Sequence, residues 1–201
     1  AALLAAMQER QVTVGKKTHP LPDPVFVIAT RNPIEQEGTY ELPEAQQDRF
    51  LFQIQVDYPS LSEEERILYL ASRPEESAVR PALSANDIRS AQALTLETYI
   101  SNALIKRIAK LTRASRPQDE TAPNYIREYV DWGVGPRAGH ALVVASKAWA
   151  ALSGRPAVSP DDVISVAAPV MRHRFGINFS GRADNITPDE LIKKLIADSF
   201  S

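Results

Sequence analysis

Strand-like patterning stops at Val56, which limits the chain to a short α/β portion followed by helices. The run Val25-Phe26-Val27-Ile28-Ala29 follows Pro24 and is apolar without alternation, the pattern of a strand covered on both faces in a largely parallel sheet. A second run, Phe50 to Val56, begins apolar on both faces and then alternates, as though one face loses its cover. Tyr58-Pro59-Ser60 breaks it, and no strand pattern follows Leu61. The expected organisation is an incomplete α/β layer over residues 1–58 and an all-helical domain of six or more helices over 59–201. Such a chain is predominantly helical.

Open α/β sheets bind ligands at the carboxyl ends of their strands, so Thr30 to Asn32 is expected at the mouth of a site. The Asn32 amide both donates and accepts, and could hold a water and touch a phosphate oxygen. Equally, Asn32-Pro33 could be a turn starter and no more. After a polar loop, Pro43 suits a first helical position, opening a short helix to about Arg49. A cation in the last turn is favoured by the helix dipole, a sufficient structural reason for Arg49. The functional alternative is a planar guanidinium held out towards a phosphate or carboxylate.

Taken together, LLAAMQERQVTV and VIATRNPIEQEGTYELPEAQQDRF resemble the MoxR group of AAA+ ATPases, from just after the Walker B strand through sensor 1 to the arginine finger. The resemblance implies an α/β remnant of a P-loop NTPase core followed by a helical lid. It matches Asn32 to sensor 1 and Arg49 to the arginine finger; Gln47 stands where the family usually has Leu. ATP and Mg2+ are the implied cofactors. The family's phosphate loop (GxxxxGK[ST]) and Asp-Glu magnesium motif do not occur in these residues and are expected upstream of Ala1, since the opening helix has no capping residue ahead of it.

Composition narrows the setting. With no Cys there is no disulfide framework and no thiolate metal site. No apolar run approaches the ~20 residues of a membrane span and the opening lacks a basic leader, so a cytoplasmic chain is expected. A net charge of −2 gives no global basic field for nucleic acid. His19, His140 and His173 are isolated, without metal-ligand spacing, so no metal site is expected.

Ahead of the first strand, Gln11 to Val14 and Thr18 to Leu21 flank Gly15-Lys16-Lys17, a hairpin whose tip could be a solvated turn or a client contact. Helix starts punctuate the remainder: Ser62-x-x-Glu65, Ser84-x-x-Asp87, Ser159-x-x-Asp162 and Thr187-x-x-Glu190 each set a hydroxyl three residues before an acid. Further helices are expected over Asn102–Ala114, Pro123–Trp132 and Pro136–Leu152, with Gly133 and Gly154 stopping the last two. The Pro136 helix carries Ala138, Ala141, Leu142, Ala145, Ala148, Trp149 and Leu152 on one face.

Arg137 breaks the logic of that helix, because a cation in the first turn opposes the dipole. It makes sense if it faces an anion, either a nearby carboxylate or a nucleotide phosphate. Gly133-Val134-Gly135-Pro136-Arg137 resembles the family's sensor 2 segment, with Val134 in place of a small residue. Lys106, Arg107, Lys110, Arg113 and Arg116 track one side of a helix as a solvated basic face, which Arg172, Arg174 and Arg182 could join.

By resemblance, Asn32 orients the attacking water, Arg137 couples nucleotide to lid position in its own or a neighbouring subunit, and Arg49 reaches a neighbouring subunit's nucleotide. The implied assembly is a homo-oligomeric, hexameric ring doing chaperone-like remodelling or maturation of protein complexes. A von Willebrand factor A domain protein is one candidate client. Two other classes compete. A non-catalytic helical interaction module predicts Asn32, Arg49 and Arg137 far apart; a nucleic-acid or chelatase-type AAA+ motor predicts salt-sensitive binding through the hairpin and the basic helix.

Overall fold

A computed structural model of the chain describes residues 9–31, 42–72 and 80–200. The hairpin forms as its turn chemistry dictates: β1 (Gln11–Val14) pairs antiparallel with β2 (Lys17–Pro20), in the register Val14 opposite Lys17 and Gln11 opposite Pro20. Gly15 supplies the left-handed φ of 63° at its tight turn.

Neither expected strand, 25–29 or 50–56, is paired into a ladder among the described residues. A strand exists only through its neighbours, and none of the described residues offers one. Phe26, Ile28, Ile54 and Val56 are accordingly exposed, although their patterning is that of covered strands.

Between these runs lies α1 (Glu44–Gln47), a single turn. Pro43 is its N-cap rather than its first helical residue, and Arg49 falls in the turn beyond it. The helices α2 (Leu61–Ser72) and α3 (Ala85–Glu97) bury none of their residues. At α2 the cap is Ser60 with Glu63, two residues ahead of the expected Ser62 and Glu65: the Ser60 amide and hydroxyl both donate to Glu63, at 2.8 and 2.6 Å. The boxes at Ser84, Ser159 and Thr187 form where the spacing puts them.

The core belongs to α4 (Asn102–Ala114), α5 (Asn124–Tyr129), α6 (Pro136–Leu152), α7 (Pro160–Met171) and α9 (Pro188–Phe200). Ile108, Leu111, Ile126, Leu142, Val163, Val170, Leu191 and Leu195 fill it. The buried stripe of α6 runs through Ala138, Ala141, Leu142, Ala145, Ser146 and Ala150, leaving Trp149 and Leu152 exposed. The expected face thus drifts off the core in the last turn of the helix.

This region is not purely helical. The expected helix over 123–132 stops at Tyr129, and β3 (Val130–Trp132) pairs antiparallel with β4 (Gly176–Ile177), which leads into the short α8 (Phe179–Ala183). β-Branched and aromatic residues here have partners 44 and 47 positions away, which local sequence does not reveal.

The same ladder aims the start of α6. The Val134 amide donates to Ser115 Oγ at 3.0 Å, Val134 is fully buried, and a Cβ on Gly133 would lie 2.1 Å from the Ser115 carbonyl oxygen. Gly133→Ala should therefore force backbone apart, at a cost towards the upper end of the ~1–3 kcal/mol typical of overpacking. The midpoint of chemical denaturation measures it, and an unchanged midpoint would refute the close approach.

Candidate functional site

Two of the three residues singled out in the sequence meet in space. Arg49 and Arg137 line one cleft of about 290 Å³ together with Asp48, Leu51, His140, Ala141, Val144 and Arg174. Asn32 lies outside the described residues. The volume is at the low end for small-molecule pockets, so the cleft suits an anionic group rather than a whole nucleotide.

Arg137 comes from the first turn of α6, behind Gly135 at the N-cap and Pro136 at the first helical position. Its Nη1 donates to Asp48 Oδ2 at 3.3 Å, and about half of the side chain is exposed. A carboxylate, one of the two partners expected for this helix-opening cation, is therefore present. Such a long, half-exposed pair contributes little and can be exchanged for a stronger anion.

Arg49 follows Asp48. Its Nε donates to the Ala45 carbonyl at 3.2 Å, while Nη1 is buried without a hydrogen-bond partner. A buried guanidinium nitrogen with an unspent donor calls for an acceptor. Three guanidinium groups face a single carboxylate in this cleft, so the excess charge is positive.

Arg174 and Asp48 were not distinguished by the sequence. Arg174 is buried, not part of a basic surface. Its Nε donates to Asp48 Oδ1 at 2.8 Å and its Nη2 to the carbonyls of Asp48 and Phe50 at 2.9 and 2.6 Å. Its Nη1 bonds the Val170 carbonyl. Burial lowers the Arg174 pKa, and Asp48 opposes that shift. Arg172 is also committed, bidentate to Asp189 at 2.9 Å on both bonds, and Arg182 Nε donates to the Ile177 carbonyl. Of the expected basic face, Arg113 pairs with Asp119 and Arg116 donates to the Val134 carbonyl. The one signal in the sequence was the alternation Arg172-His173-Arg174 directly after a helix of core residues.

His173 Nε2 sits 3.1 Å from the Phe50 carbonyl, which can only accept, so Nε2 carries the hydrogen. Nδ1 is buried and unpartnered. Protonating it would create a cation with no acceptor beside Arg174, and burial, followed by that neighbour, pushes the pKa down to about 4. Among the described residues, no His, Cys, Asp and Glu group is placed to hold a metal ion, and no helix is long and apolar enough to cross a membrane.

Comparison with known proteins reads the same segments. A model of the ATPase family associated with various cellular activities (AAA) matches residues 1–52, and a model of the AAA lid domain matches residues 122–195. Chaperone MoxR1 of Mycobacterium tuberculosis is 39% identical over 196 residues, covering 98% of this chain and 52% of its own length. The chain belongs to the MoxR group of AAA+ ATPases. Protein MoxR of Paracoccus denitrificans is 33% identical over 207 residues, covering 94% of this chain and 59% of its own length. The crystal structure of a putative ATPase from Cytophaga hutchinsonii superposes with a TM-score of 0.89 at 35% identity, covering 97% of this chain and 59% of that one. The chain thus spans between half and three fifths of these relatives. Its architecture is a partial AAA+ core followed by a helical lid.

His173 supplies a pH test. Its folded pKa lies below the ordinary 6.5, so its contribution is whole above about pH 6.5 and is lost as pH falls towards 4. The melting temperature should decline between pH 6.5 and 4.5, above the range where ordinary carboxylates titrate, and His173→Gln should flatten that decline. Parallel curves for the two proteins would exclude a buried neutral His173.

Proposed function

We propose that the full-length protein is an ATPase of AAA+ type that couples ATP hydrolysis to chaperone-like remodelling or maturation of protein complexes, and that Arg49 and Arg137 serve one and the same phosphate site. The observation that carries the reading is the shared cleft, in which Arg49 holds a buried unspent donor and Arg137 rests on an exchangeable partner. The donor set suits phosphate oxygens: guanidinium groups match them with two donors at a time, and no acidic cluster competes.

ATP with its magnesium ion supplies the γ-phosphoryl group that passes to water. What these residues contribute is positioning and neutralisation of charge, the main protein task in phosphoryl transfer. Arg49 offsets charge developing in the transition state. Arg137 exchanges Asp48 for a phosphate oxygen, which ties the lid to the state of the nucleotide. Asn32, from its motif, orients the attacking water. Since Arg49 and Arg137 open onto one cleft, both act on the same nucleotide, and in a ring of subunits that nucleotide belongs to the neighbour. The hairpin tip at Lys16 is the candidate contact for a protein client, a von Willebrand factor A domain being one class. The setting proposed is cytoplasmic. The interaction-module alternative expects Asn32, Arg49 and Arg137 far apart, whereas Arg49 and Arg137 share a cleft; the nucleic-acid alternative expects salt-sensitive binding through the hairpin and the basic helix, where Arg113 and Arg116 are engaged.

In the full-length protein Arg49→Ala should lower turnover at least roughly a hundredfold with ATP affinity nearly intact, as expected of a transition-state contact. Arg49→Lys should not restore it, since a point charge lacks the planar fork. Rings mixed from Arg49→Ala subunits and subunits inactivated at the phosphate-loop lysine should regain activity. Verified mixed rings without recovery would rule out action across the interface. The 201-residue chain by itself should bind ATP far more weakly than micromolar in calorimetric titration, because the backbone cradle and lysine of a phosphate loop are not in its sequence.

A further inference from the structure

We propose that Arg174 is a positioning residue for Arg49, fixing the finger to the helical lid so that the two move as one body. The inference rests on the reading of Arg49 as an arginine finger. Its starting point is a structural deficit. Arg49 follows a single helical turn, too short to persist by its own hydrogen bonds, and precedes a segment with no strand partner among the described residues. Something else has to hold the backbone on both sides of it.

The turn after α7 does so. Arg174 takes the Asp48 carbonyl before Arg49 and the Phe50 carbonyl after it, at 2.9 and 2.6 Å, and adds the Leu51 carbonyl at 3.4 Å. The same guanidinium fixes the Asp48 side chain at 2.8 Å, whose other oxygen faces Arg137. Beside it, His173 reaches the Phe50 carbonyl at 3.1 Å and Arg172 the Gln53 carbonyl at 3.0 Å, while the Gln53 amide donates to Pro169 at 2.8 Å. Residues 169–174 of the lid therefore grip 48–53 almost continuously. Only a planar fork of five donors can serve these acceptors at once; the three donors of an ammonium radiate from a single atom. Asp48 meets Arg137 only through a half-exposed contact at 3.3 Å, so the buried Arg174 side chain fixes chiefly the backbone around Arg49.

The test is a double-mutant cycle in the full-length protein, with hydrogen exchange as an activity-independent readout. Arg174→Lys should lower kcat for ATP at least about tenfold while KM changes less than about threefold. In an Arg49→Ala background the same substitution should change kcat by less than about twofold, because a residue acting through Arg49 has nothing left to position. Amides of peptide 46–53 should exchange at least about tenfold faster in Arg174→Lys, with 142–150 of α6 unchanged. Equal losses in both backgrounds, or unaltered exchange in 46–53, overturn the proposal. Should Arg174→Lys also deprotect 142–150, and so unfold the lid, Asp48→Asn replaces it: the neutral isostere should show the same cycle with a smaller loss, and an equal loss in both backgrounds overturns the proposal there too. If Arg49→Ala leaves turnover intact, the finger reading falls, and the exchange result alone decides whether Arg174 holds the segment.

Discussion

A buried guanidinium joins the two parts of this molecule. Arg174 is withdrawn from water, and a desolvated cation persists only where acceptors surround it. It finds them in Asp48 and in the carbonyls of residues 48, 50 and 51, a stretch of backbone that forms no ladder among the described residues. The two deficits cancel each other. A cation without solvent meets carbonyls without strand partners, and neither the turn after α7 nor the segment around Arg49 would be satisfied alone.

The chemistry of the cleft depends on that arrangement. Asp48 gives one oxygen to a buried partner at 2.8 Å and the other to an exposed one at 3.3 Å, so its two ion pairs differ in kind. The Arg174 pair is structural, since breaking it would strand a buried charge. The Arg137 pair is solvent-screened and contributes at most a fraction of a kcal/mol, which leaves Arg137 free to respond to an anion. Arg49, with a donor unspent, is the third cation of the set.

Elsewhere the fold divides by what surrounds each element. The helices α4, α6, α7 and α9 enclose a core in which Leu111, Leu142, Val163, Leu191 and Leu195 are fully buried. The runs around Phe26 and Ile54 carry patterning as apolar as any helix here yet remain exposed, because hydrophobic burial needs a second surface. The family model of the AAA ATPases ends at residue 52 and the lid model begins at residue 122, within the helices that share this core.

The sequence by itself determined the helical lid, three of its four expected caps, the hairpin, the family, and the candidacy of Arg49 and Arg137. All of these are local: a hydroxyl three residues before an acid, a glycine in a two-residue turn, a cation where a helix dipole opposes it. Tertiary structure decided the rest. It shifted one cap to Ser60, ended the helix at Tyr129 so that Trp132 could face Gly176, and moved Arg174 from an apparent surface run into the interior. It also set Arg49 and Arg137 in one cleft. Asp48 and Arg174 are 126 positions apart, and neither residue type distinguishes a buried ion pair from a solvated one. Burial and the geometry of acceptors make that distinction, and they exist only once the chain has folded.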